Sequence, residues 1–428
     1  MKALLRVITL AALAMGAAVM LTSCGSDKAA VEEEPLTIGY LGALTGGFAE
    51  TAEEIGNMIA LAVDQVNEAG GVGGRDVRLV VGDTALDAEQ GVEEARRLIE
   101  EEGAAAIVGP LASSVTLPVA EQVAANLQVP FISPSATSPA LSEAKDADFL
   151  FRSTLSDAAQ GAVLADLVLD DGVTSVGVLY IDDPYGRGLF EAFEDAYTPE
   201  GIVAGVSHAD AQTAAQYAED LESVKVAEAD TLIAMSFPNQ AQIYLQEALD
   251  DALFDSFYFV DGTKSLDLIG ALPVLDGSKG TGPPVIPIPL LSLRDDFMAR
   301  HGRAPKPLPF LAEAYDAAVA LMLAAEAAGS TDGAVIRDAL RGVASPEGEV
   351  IEAGTDSLTR GFELVRQGTP INYEGVATSL DWDANGDVLG GSISIWQYED
   401  GDIVELEVVP VDLGLAGDND HDPGDNAP

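Results

Sequence analysis

The chain has 428 residues, 48% of them hydrophobic, and its 71 acidic residues outnumber 21 basic ones, giving a formal net charge of −50 at pH 7. Such an acidic surface excludes nucleic-acid binding through phosphate neutralisation, argues against docking on anionic lipid and is typical of a soluble monomer. The single cysteine excludes an internal disulfide, and the length favours two lobes with ordinary hydrophobic cores.

The first 24 residues have the pattern of a secretory signal that ends in a lipid-attachment site. Lys2 and Arg6 form a basic start, and the apolar run "VITLAALAMGAAVM" that follows is short for a membrane span. The tetrapeptide "LTSC" (21–24) resembles the bacterial lipobox, in which cleavage before the cysteine precedes lipid attachment to its thiol. We expect a lipid anchor on Cys24; an ordinary secretory signal that contains a cysteine is the alternative.

After a polar spacer, short apolar runs rich in β-formers alternate with helical patterns. Runs that are apolar on both faces, separated by crossover helices, predict a parallel α/β sheet. The predicted strands are "LTIGYLG" (36–42), "DVRLVVG" (76–82), "AAAIVG" (104–109) and "VPFIS" (129–133), and the predicted helices lie around 55–66, 92–99 and 115–127.

The same alternation restarts after Ser153 and predicts a second α/β unit. Its predicted strands are "SVGVLY" (175–180), "IVAGVSH" (202–208), "DTLIAMSF" (230–237) and "SFYFVDG" (256–262), and its predicted helices lie around 158–169, 188–197, 217–224 and 240–250.

The last third of the chain does not follow this alternation of strands and helices. The Pro/Gly-rich segment "GSKGTGPPVIPIPL" (277–290) indicates a connection between lobes, and helical patterns follow at 292–301 and 311–328. Residues 378–409 alternate with period two around Asn-Gly and Asp-Gly pairs, which predicts a β-hairpin or meander. The final residues have the composition of a disordered acidic tail.

No motif for catalysis, a metal or a cofactor stands out. "DWDANGD" (381–387) matches the first half of a calcium loop, but Ser392 stands where such a loop needs glutamate, so a hairpin turn is favoured. The glycine-rich stretches lack the spacing of a dinucleotide fingerprint, and the contexts of His208, His301 and His421 give neither a triad nor a metal cluster. We therefore predict a protein that is not an enzyme and has no cofactor.

Two stretches instead suit a binding site. "GPLASSVTLP" (109–118) and "ISPSATSP" (132–139) each follow a strand end and each begin a helix. Ligands of open α/β sheets bind at the carboxyl ends of the strands, and free N–H groups beside serine and threonine hydroxyls suit a carboxylate. Each stretch also reads as an ordinary helix cap, since serine is a favoured capping residue.

The longer motifs resemble the branched-chain amino-acid-type periplasmic binding proteins of ABC transporters. "LTIGYLGALTGGFA", "AAIVGPLASSVTLPVA", "VPFISPSATSPAL", "DDPYGRGL" and "INYEGVATSLDWDANGDV" carry the resemblance, which spans residues 36–410 in order. It implies a type I periplasmic binding protein fold of class α/β. In this fold two Rossmann-like lobes with largely parallel central sheets are joined by a three-segment hinge and close on a ligand.

The resemblance also implies the binding residues. The family's carboxylate-binding serine falls on Ser113, and Ser114 beside it is also predicted to bind the ligand, with support of the helix start as its alternative role. The next turn, which supplies backbone N–H groups and a threonine hydroxyl, falls on Ser135, Ala136 and Thr137. In the second lobe, Tyr185 matches a cleft tyrosine and Asp261 the acidic group that holds a ligand ammonium; a simple turn residue before a glycine is the alternative for Asp261.

The chain departs from the family pattern where ligand specificity is set. Leu86 and Ala112 stand at the positions of a disulfide found in well-studied members. The aromatic residue expected near 50–53 is missing, and Phe48 is its nearest substitute. Phe237 stands where a second-lobe tyrosine is common. These changes leave the identity of the ligand open.

We therefore predict an extracytoplasmic, lipid-anchored and monomeric solute-binding protein that delivers an amino acid or a similar small carboxylate to ABC permease subunits. A sensor of the same fold that reports its ligand to a membrane receptor or regulator is the alternative. The predicted boundaries are a signal peptide over 1–23, a linker over 24–35, an N-terminal lobe over 36–154 and 285–372, a C-terminal lobe over 155–284 and 373–411, and a disordered tail over 412–428.

Overall fold

The computed structural model describes residues 35–209, 214–225, 229–285 and 291–413. These residues form two α/β lobes, each built on its own central sheet, together with a small two-stranded sheet. The expected signal peptide, Cys24 and most of the spacer lie outside the described residues, as does the tail from residue 414.

The first lobe contains a five-stranded, fully parallel sheet in the order β2-β1-β3-β4-β5. Most of its strands are buried, which explains why they appear in the sequence as continuous apolar runs. The strands are β1 (Thr37–Gly42), β2 (Arg78–Asp83), β3 (Ala106–Val108), β4 (Phe131–Ser133) and β5 (Leu150–Arg152).

Helices connect these strands and cover the sheet. The longest of them buries residues such as Ile55, Ile59 and Val66, spaced three, four or seven apart, because one apolar stripe faces the core. The helices are α1 (Ala49–Glu68), α2 (Ala88–Glu100), α3 (Ser113–Val119) and α4 (Ala125–Leu127), and a π-helical turn over Ala120–Ala124 joins the last two.

The second lobe contains a seven-stranded sheet in the order β14-β13-β10-β9-β8-β6-β7. Its first five strands in the chain are parallel, and the final hairpin adds two antiparallel strands. The strands are β6 (Ser175–Ile181), β7 (Ile202–His208), β8 (Thr231–Met235), β9 (Ser256–Phe259), β10 (Lys279–Gly282), β13 (Gly390–Glu399) and β14 (Asp402–Asp412).

Helices cover this second sheet: the first of them enters it from the first lobe, and the next four connect its parallel strands. Pro184 and Pro238 each stand at the first helical position of their helix, where the missing N–H costs no hydrogen bond. The helices are α5 (Asp157–Asp170), α6 (Pro184–Tyr197), α7 (Ala214–Val224), α8 (Pro238–Asp250) and α9 (Leu266–Ala271).

The chain then returns to the first lobe before it makes the final hairpin. The central returning helix, α11, is buried over nearly its whole length and packs on α1, β3 and β4. The returning elements are α10 (Leu291–His301), α11 (Leu311–Ala328), α12 (Gly333–Leu340), β11 (Glu349–Ile351), α13 (Thr355–Arg366) and β12 (Ile371–Tyr373), of which β11 and β12 pair with each other.

The predicted class, a type I fold with mostly parallel sheets, is confirmed, but three local predictions need correction. The segment predicted as a connection (277–290) contains the strand β10. This strand can pair with β13 because Gly280 has no Cβ, which would lie 2.5 Å from the ring of Trp396 on that neighbouring strand. The helix expected from residue 115 begins at Ser113. The predicted tail begins inside a strand, since β14 ends at Asp412.

Over the part of the chain that the structure describes, no single helix is both long and apolar enough to cross a membrane. The pair α11 and α12 reaches that length and composition only together, and it is bent by 108°.

Candidate functional site

A small cavity lies where the two lobes meet, at the carboxyl ends of the strands. It is nearly closed, with a volume of about 10 Å³. Six of the nine predicted ligand-binding residues share its wall, although they come from distant parts of the chain. The lining residues are Phe48, Leu111, Ala112, Ser113, Ser135 and Phe310 from the first lobe, and Tyr185, Phe237, Asp261 and Gly262 from the second.

Ser113 lies at the first helical position of α3, on the first-lobe wall. Its side chain is buried, and its Oγ accepts a hydrogen bond from the backbone N–H of Ser138 (3.2 Å). A hydroxyl that accepts one bond keeps its own hydrogen for another acceptor. The capping interpretation of the two serines is wrong, because the N-cap residue is Ala112, which makes no side-chain capping bond.

The second predicted loop packs against the first through a set of serine hydroxyls. Ser133 Oγ donates to the carbonyl of Pro110 (2.6 Å), and Ser135 Oγ donates to the carbonyl of Leu111 (2.9 Å). Ser138 Oγ donates across the lobe boundary to the carbonyl of Pro184 (2.7 Å). These bonds hold the loop in place. Because the Ser135 hydroxyl donates its hydrogen to Leu111, it has none left to donate to a ligand.

Three predicted residues do not line the cavity. Ser114 is partly exposed on α3, while Ala136 and Thr137 are buried behind the wall. The Thr137 hydroxyl oxygen has no hydrogen-bond partner among the described residues. The other six predicted residues do line the cavity, namely Phe48, Ser113, Ser135, Tyr185, Phe237 and Asp261.

The second-lobe wall is organised around the carboxylate of Asp261, which is 3% exposed. Its Oδ1 accepts hydrogen bonds from Gln160 Nε2 (2.7 Å) and from the Tyr185 hydroxyl (2.9 Å). The Tyr185 oxygen in turn accepts the backbone N–H of Gly262 (3.1 Å). Burial raises the pKa of Asp261, whereas these neutral donors lower it.

Aromatic rings close the remaining sides of the cavity. Phe48 meets Phe237 edge to face across the lobe boundary, with centroids 5.8 Å apart, and Tyr185 stacks on Phe237 at 5.6 Å. Phe310 reaches the wall from a left-handed backbone conformation (φ 70°) just before α11. Such rings suit an apolar ligand group of limited size.

Sequence reasoning missed Arg152, a positioning residue behind the first-lobe wall. Its guanidinium is 1% exposed, pairs with Asp387 at 2.5 Å, and donates to the carbonyls of Thr137 and Ser138 at 3.0 Å each. It thereby holds the loop that carries Ser135. The sequence feature that could have identified it is an arginine inside the apolar run "FLFR". Such a run is expected to be buried, and a buried arginine always needs partners.

The calcium-loop motif forms a turn, as the sequence analysis favoured. Trp382 and Val388 bridge across it, and Asp383 Oδ1 accepts the backbone N–H groups of Asn385 and Asp387. Asp387 itself pairs with Arg152. Within the described ranges, no group of three or more His, Cys, Asp or Glu side chains is placed to hold a metal ion.

A buried acid behind the cavity predicts how stability depends on pH. Glu313 in α11 is 2% exposed, and burial raises its pKa from an ordinary 4.5 to about 8. Between these pH values the folded protein keeps a proton that the unfolded chain releases, so the free energy of unfolding should fall as pH rises from 4.5 to 8.

Urea unfolding of the wild type and of Glu313→Gln across this range tests the prediction. We expect the substituted protein to gain in relative stability as pH rises, because its amide cannot ionise. Identical pH dependence of the two proteins would contradict the assignment. Asp316, with a pKa raised by burial to about 6, adds a slope of the same sign below pH 6 in both proteins.

Comparisons with known proteins agree with this architecture. A family model described as "Periplasmic binding protein" matches residues 35–357. The chemotactic signal transduction system substrate-binding protein BasB of Halobacterium salinarum is 28% identical over 363 residues, which cover 81% of this chain and 83% of BasB.

Two solved structures are similar in fold. The branched-chain amino acid transporter substrate-binding protein LivJ of Streptococcus pneumoniae, in complex with isoleucine, has a TM-score of 0.70 and 22% identity, covering 89% of this chain and 100% of LivJ. An ABC-transporter solute-binding protein of R. palustris, in complex with benzoate, has a TM-score of 0.67 and 17% identity, covering 89% and 98%. The two ligands share a carboxylate and differ in whether an ammonium accompanies it.

Proposed function

Because this chain belongs to the periplasmic binding protein family, we propose that it captures a small amino acid between its two lobes and delivers it to an ABC permease. The observation that carries this proposal is Asp261, a buried carboxylate on the cavity wall whose described hydrogen-bond donors, Gln160 and Tyr185, are both neutral. A buried charge of this kind is stabilised by a positive partner, which a ligand ammonium supplies.

The opposite wall suits the ligand's carboxylate. The Ser113 hydroxyl keeps a hydrogen to donate, and the first N–H groups of a helix point outward with no partner inside the helix. Donors on the first lobe and an acceptor on the second lobe fit the two ends of a zwitterion. Such a ligand bonds both lobes only when they are closed, so it favours the closed state.

The same arrangement disfavours an aromatic acid without an amino group. Benzoate would satisfy the carboxylate half of the site but would leave Asp261 buried without a positive partner. Its ring would also have to fit beside Phe48, Phe237 and Phe310. These rings favour instead a compact apolar side chain on the ligand.

Isothermal titration calorimetry with L-isoleucine, the other proteinogenic amino acids and benzoate tests the proposal. We expect at least one apolar amino acid to bind, and benzoate to bind more weakly or not at all. Binding of benzoate in preference to every amino acid would contradict the proposed ligand class, and binding of neither would contradict capture of small carboxylates.

The two adjacent serines provide a matched pair of variants for the same titration. Ser113→Ala should weaken binding by about 1–3 kcal/mol, because it removes a hydrogen bond to a charged group. Ser114→Ala, one residue away and outside the cavity wall, should leave the affinity unchanged. Equal effects of the two substitutions would show that the carboxylate does not bind at the start of α3.

Lipid attachment at Cys24 is part of the proposal and rests on the sequence "LTSC" alone. It would tether an extracytoplasmic receptor to the membrane beside its permease, since two or more acyl chains anchor a protein stably. The formal charge of −50 supports a soluble monomer on that tether.

The likeness to BasB supports a second candidate, a receptor that reports its ligand to a membrane-bound signalling protein. The binding site would be the same in both cases. Cross-linking of the ligand-loaded protein in native membranes separates them, because a transport receptor would be recovered with permease subunits and a sensor with a signalling protein.

A further inference from the structure

A second acidic side chain lies behind the cavity wall, at the start of α5. Asp157 is fully buried, and its backbone N–H donates to the carbonyl of Thr137 (2.9 Å). Among the described residues neither of its carboxylate oxygens makes a hydrogen bond of good geometry, although the Thr137 hydroxyl lies near enough to favour its ionised form. An ionised carboxylate is very costly in such a place, so Asp157 needs either a proton or a positive partner.

Asp157 and Asp261 are neighbours across the second-lobe wall. Gln160 follows Asp157 by three residues on α5 and therefore shares its helix face. Gln160 Nε2 reaches Asp261 Oδ1 at 2.7 Å, so this face of the helix is turned toward Asp261. Two buried carboxyl groups in such proximity do not both ionise readily.

The positively charged side chains that face Asp157 and Asp261 are already paired with other carboxylates. Arg152 is paired with Asp387 at 2.5 Å, and Lys264 is paired with Glu405 at 3.4 Å. The other titratable groups add negative charge or are neutral. The charged and titratable groups facing the pair are Arg152 from β5, Asp183 before α6, Tyr185 in α6 and Lys264 after β9.

The two carboxyl groups differ in how well the protein supports their ionised forms. Burial and the charge of Asp261 raise the pKa of Asp157 well above its ordinary value, while Thr137 and Arg152 act in the opposite direction. Asp261 accepts two hydrogen bonds, from Gln160 and Tyr185, and these stabilise its charge. The proton of the pair therefore resides on Asp157 and the charge on Asp261.

We propose that Asp157 is a further binding-site residue, which carries the one proton of the pair while Asp261 is ionised and releases it when the ligand's ammonium group binds. The inference rests on the proposed amino-acid ligand. The O–H bond of Asp157 breaks and its proton passes to the buffer, while the ammonium keeps its own hydrogens and supplies the positive charge instead. The pair thus favours a cationic group over a neutral one, and affinity falls as pH falls.

Calorimetry of the wild-type protein with L-isoleucine, in two buffers of different ionisation enthalpy, tests the proton release. The apparent binding enthalpy should differ between phosphate and Tris by the equivalent of up to about one proton per ligand. The release should reach a maximum in the range between the ordinary pKa of an aspartate and the raised pKa of Asp157, and decline on either side. Equal enthalpies in both buffers throughout this range would overturn the inference while leaving amino-acid binding established.

Asp157→Asn and Glu313→Gln form a matched pair of buried-acid variants. Asp157→Asn should bind isoleucine without releasing a proton, whereas Glu313→Gln, which lies outside the pair, should release it as the wild type does. Release that persists in Asp157→Asn would overturn the assignment to Asp157.

Infrared spectra of the ligand-free protein decide the question even if isoleucine does not bind. The wild type at pH 7 should show the absorption of a buried protonated carboxyl group that Asp157→Asn lacks, whereas Glu313→Gln should retain it and lose only the separate absorption of protonated Glu313. Absence of that difference would overturn the inference, since Asp157 would then carry no proton. Failure of isoleucine to bind, with the band present, would instead count against the proposed function.

Discussion

Replacing Asp261 with asparagine is expected to weaken amino-acid binding by about 2–4 kcal/mol, or roughly 30- to 700-fold. The amide keeps the size of the side chain and an oxygen that can accept from Gln160 and Tyr185. It loses the negative charge that pairs with the ligand ammonium in a buried setting. Titration calorimetry of the variant against the wild type measures the loss.

Asp255→Asn is the matched control for this experiment, because Asp255 is an exposed carboxylate of the same lobe. It should bind as the wild type does. The Asp261 variant should also lose its discrimination against benzoate, since the uncompensated charge is gone. A wild-type affinity for amino acids in Asp261→Asn would show that the ammonium is held elsewhere and would remove the main support for the proposed ligand class.

The second large effect is expected for stability. Arg152→Met should lower the free energy of unfolding by about 3–5 kcal/mol, the usual cost of breaking a buried ion pair from one side. The substitution leaves Asp387, 20% exposed, without its partner and takes donors from the carbonyls of Thr137 and Ser138. Urea unfolding, followed by circular dichroism, measures the change.

Arg187→Ala serves as the control, because the Arg187–Asp182 pair is largely exposed and screened by solvent. Little change in stability is expected there. Arg152→Lys should lie between the two, since the ammonium keeps the charge but lacks the planar fork that serves several acceptors at once. If Arg152→Met unfolds at the same urea concentration as Arg187→Ala, the buried pair does not stabilise the fold.

The sequence predicted the two largely parallel sheets and the loops that line the cavity because those features are local. An apolar run such as 104–109 and the helix that follows it are encoded in neighbouring residues. The position of Ser113 follows from the same pattern, since it comes at the end of a buried strand. Asp261 could be selected for its place at the end of β9, although its partners could not.

The rest depends on contacts between residues far apart in the chain. Gln160 and Asp261 meet across 101 residues, and Arg152 meets Asp387 across 235. Phe310 reaches the cavity because its backbone is left-handed, a conformation that the local sequence does not predict. The π-helical turn at Ala120–Ala124 and the strand β10 inside a Pro/Gly-rich segment are likewise products of packing rather than of local preference.

The order in which the strands join the second sheet bears on how the protein is made. β10 lies between β9 and β13 in the sheet, and its pairing with β13 joins Lys279 to Gln397. The returning helices α10 to α13 of the first lobe lie between these two strands in the sequence. The sheet of the second lobe can therefore be completed on a nascent chain only after the C-terminal hairpin emerges. Contacts of such long sequence separation form slowly. Completion of the second lobe therefore waits until nearly the whole chain has been synthesised and its slowest contacts have formed.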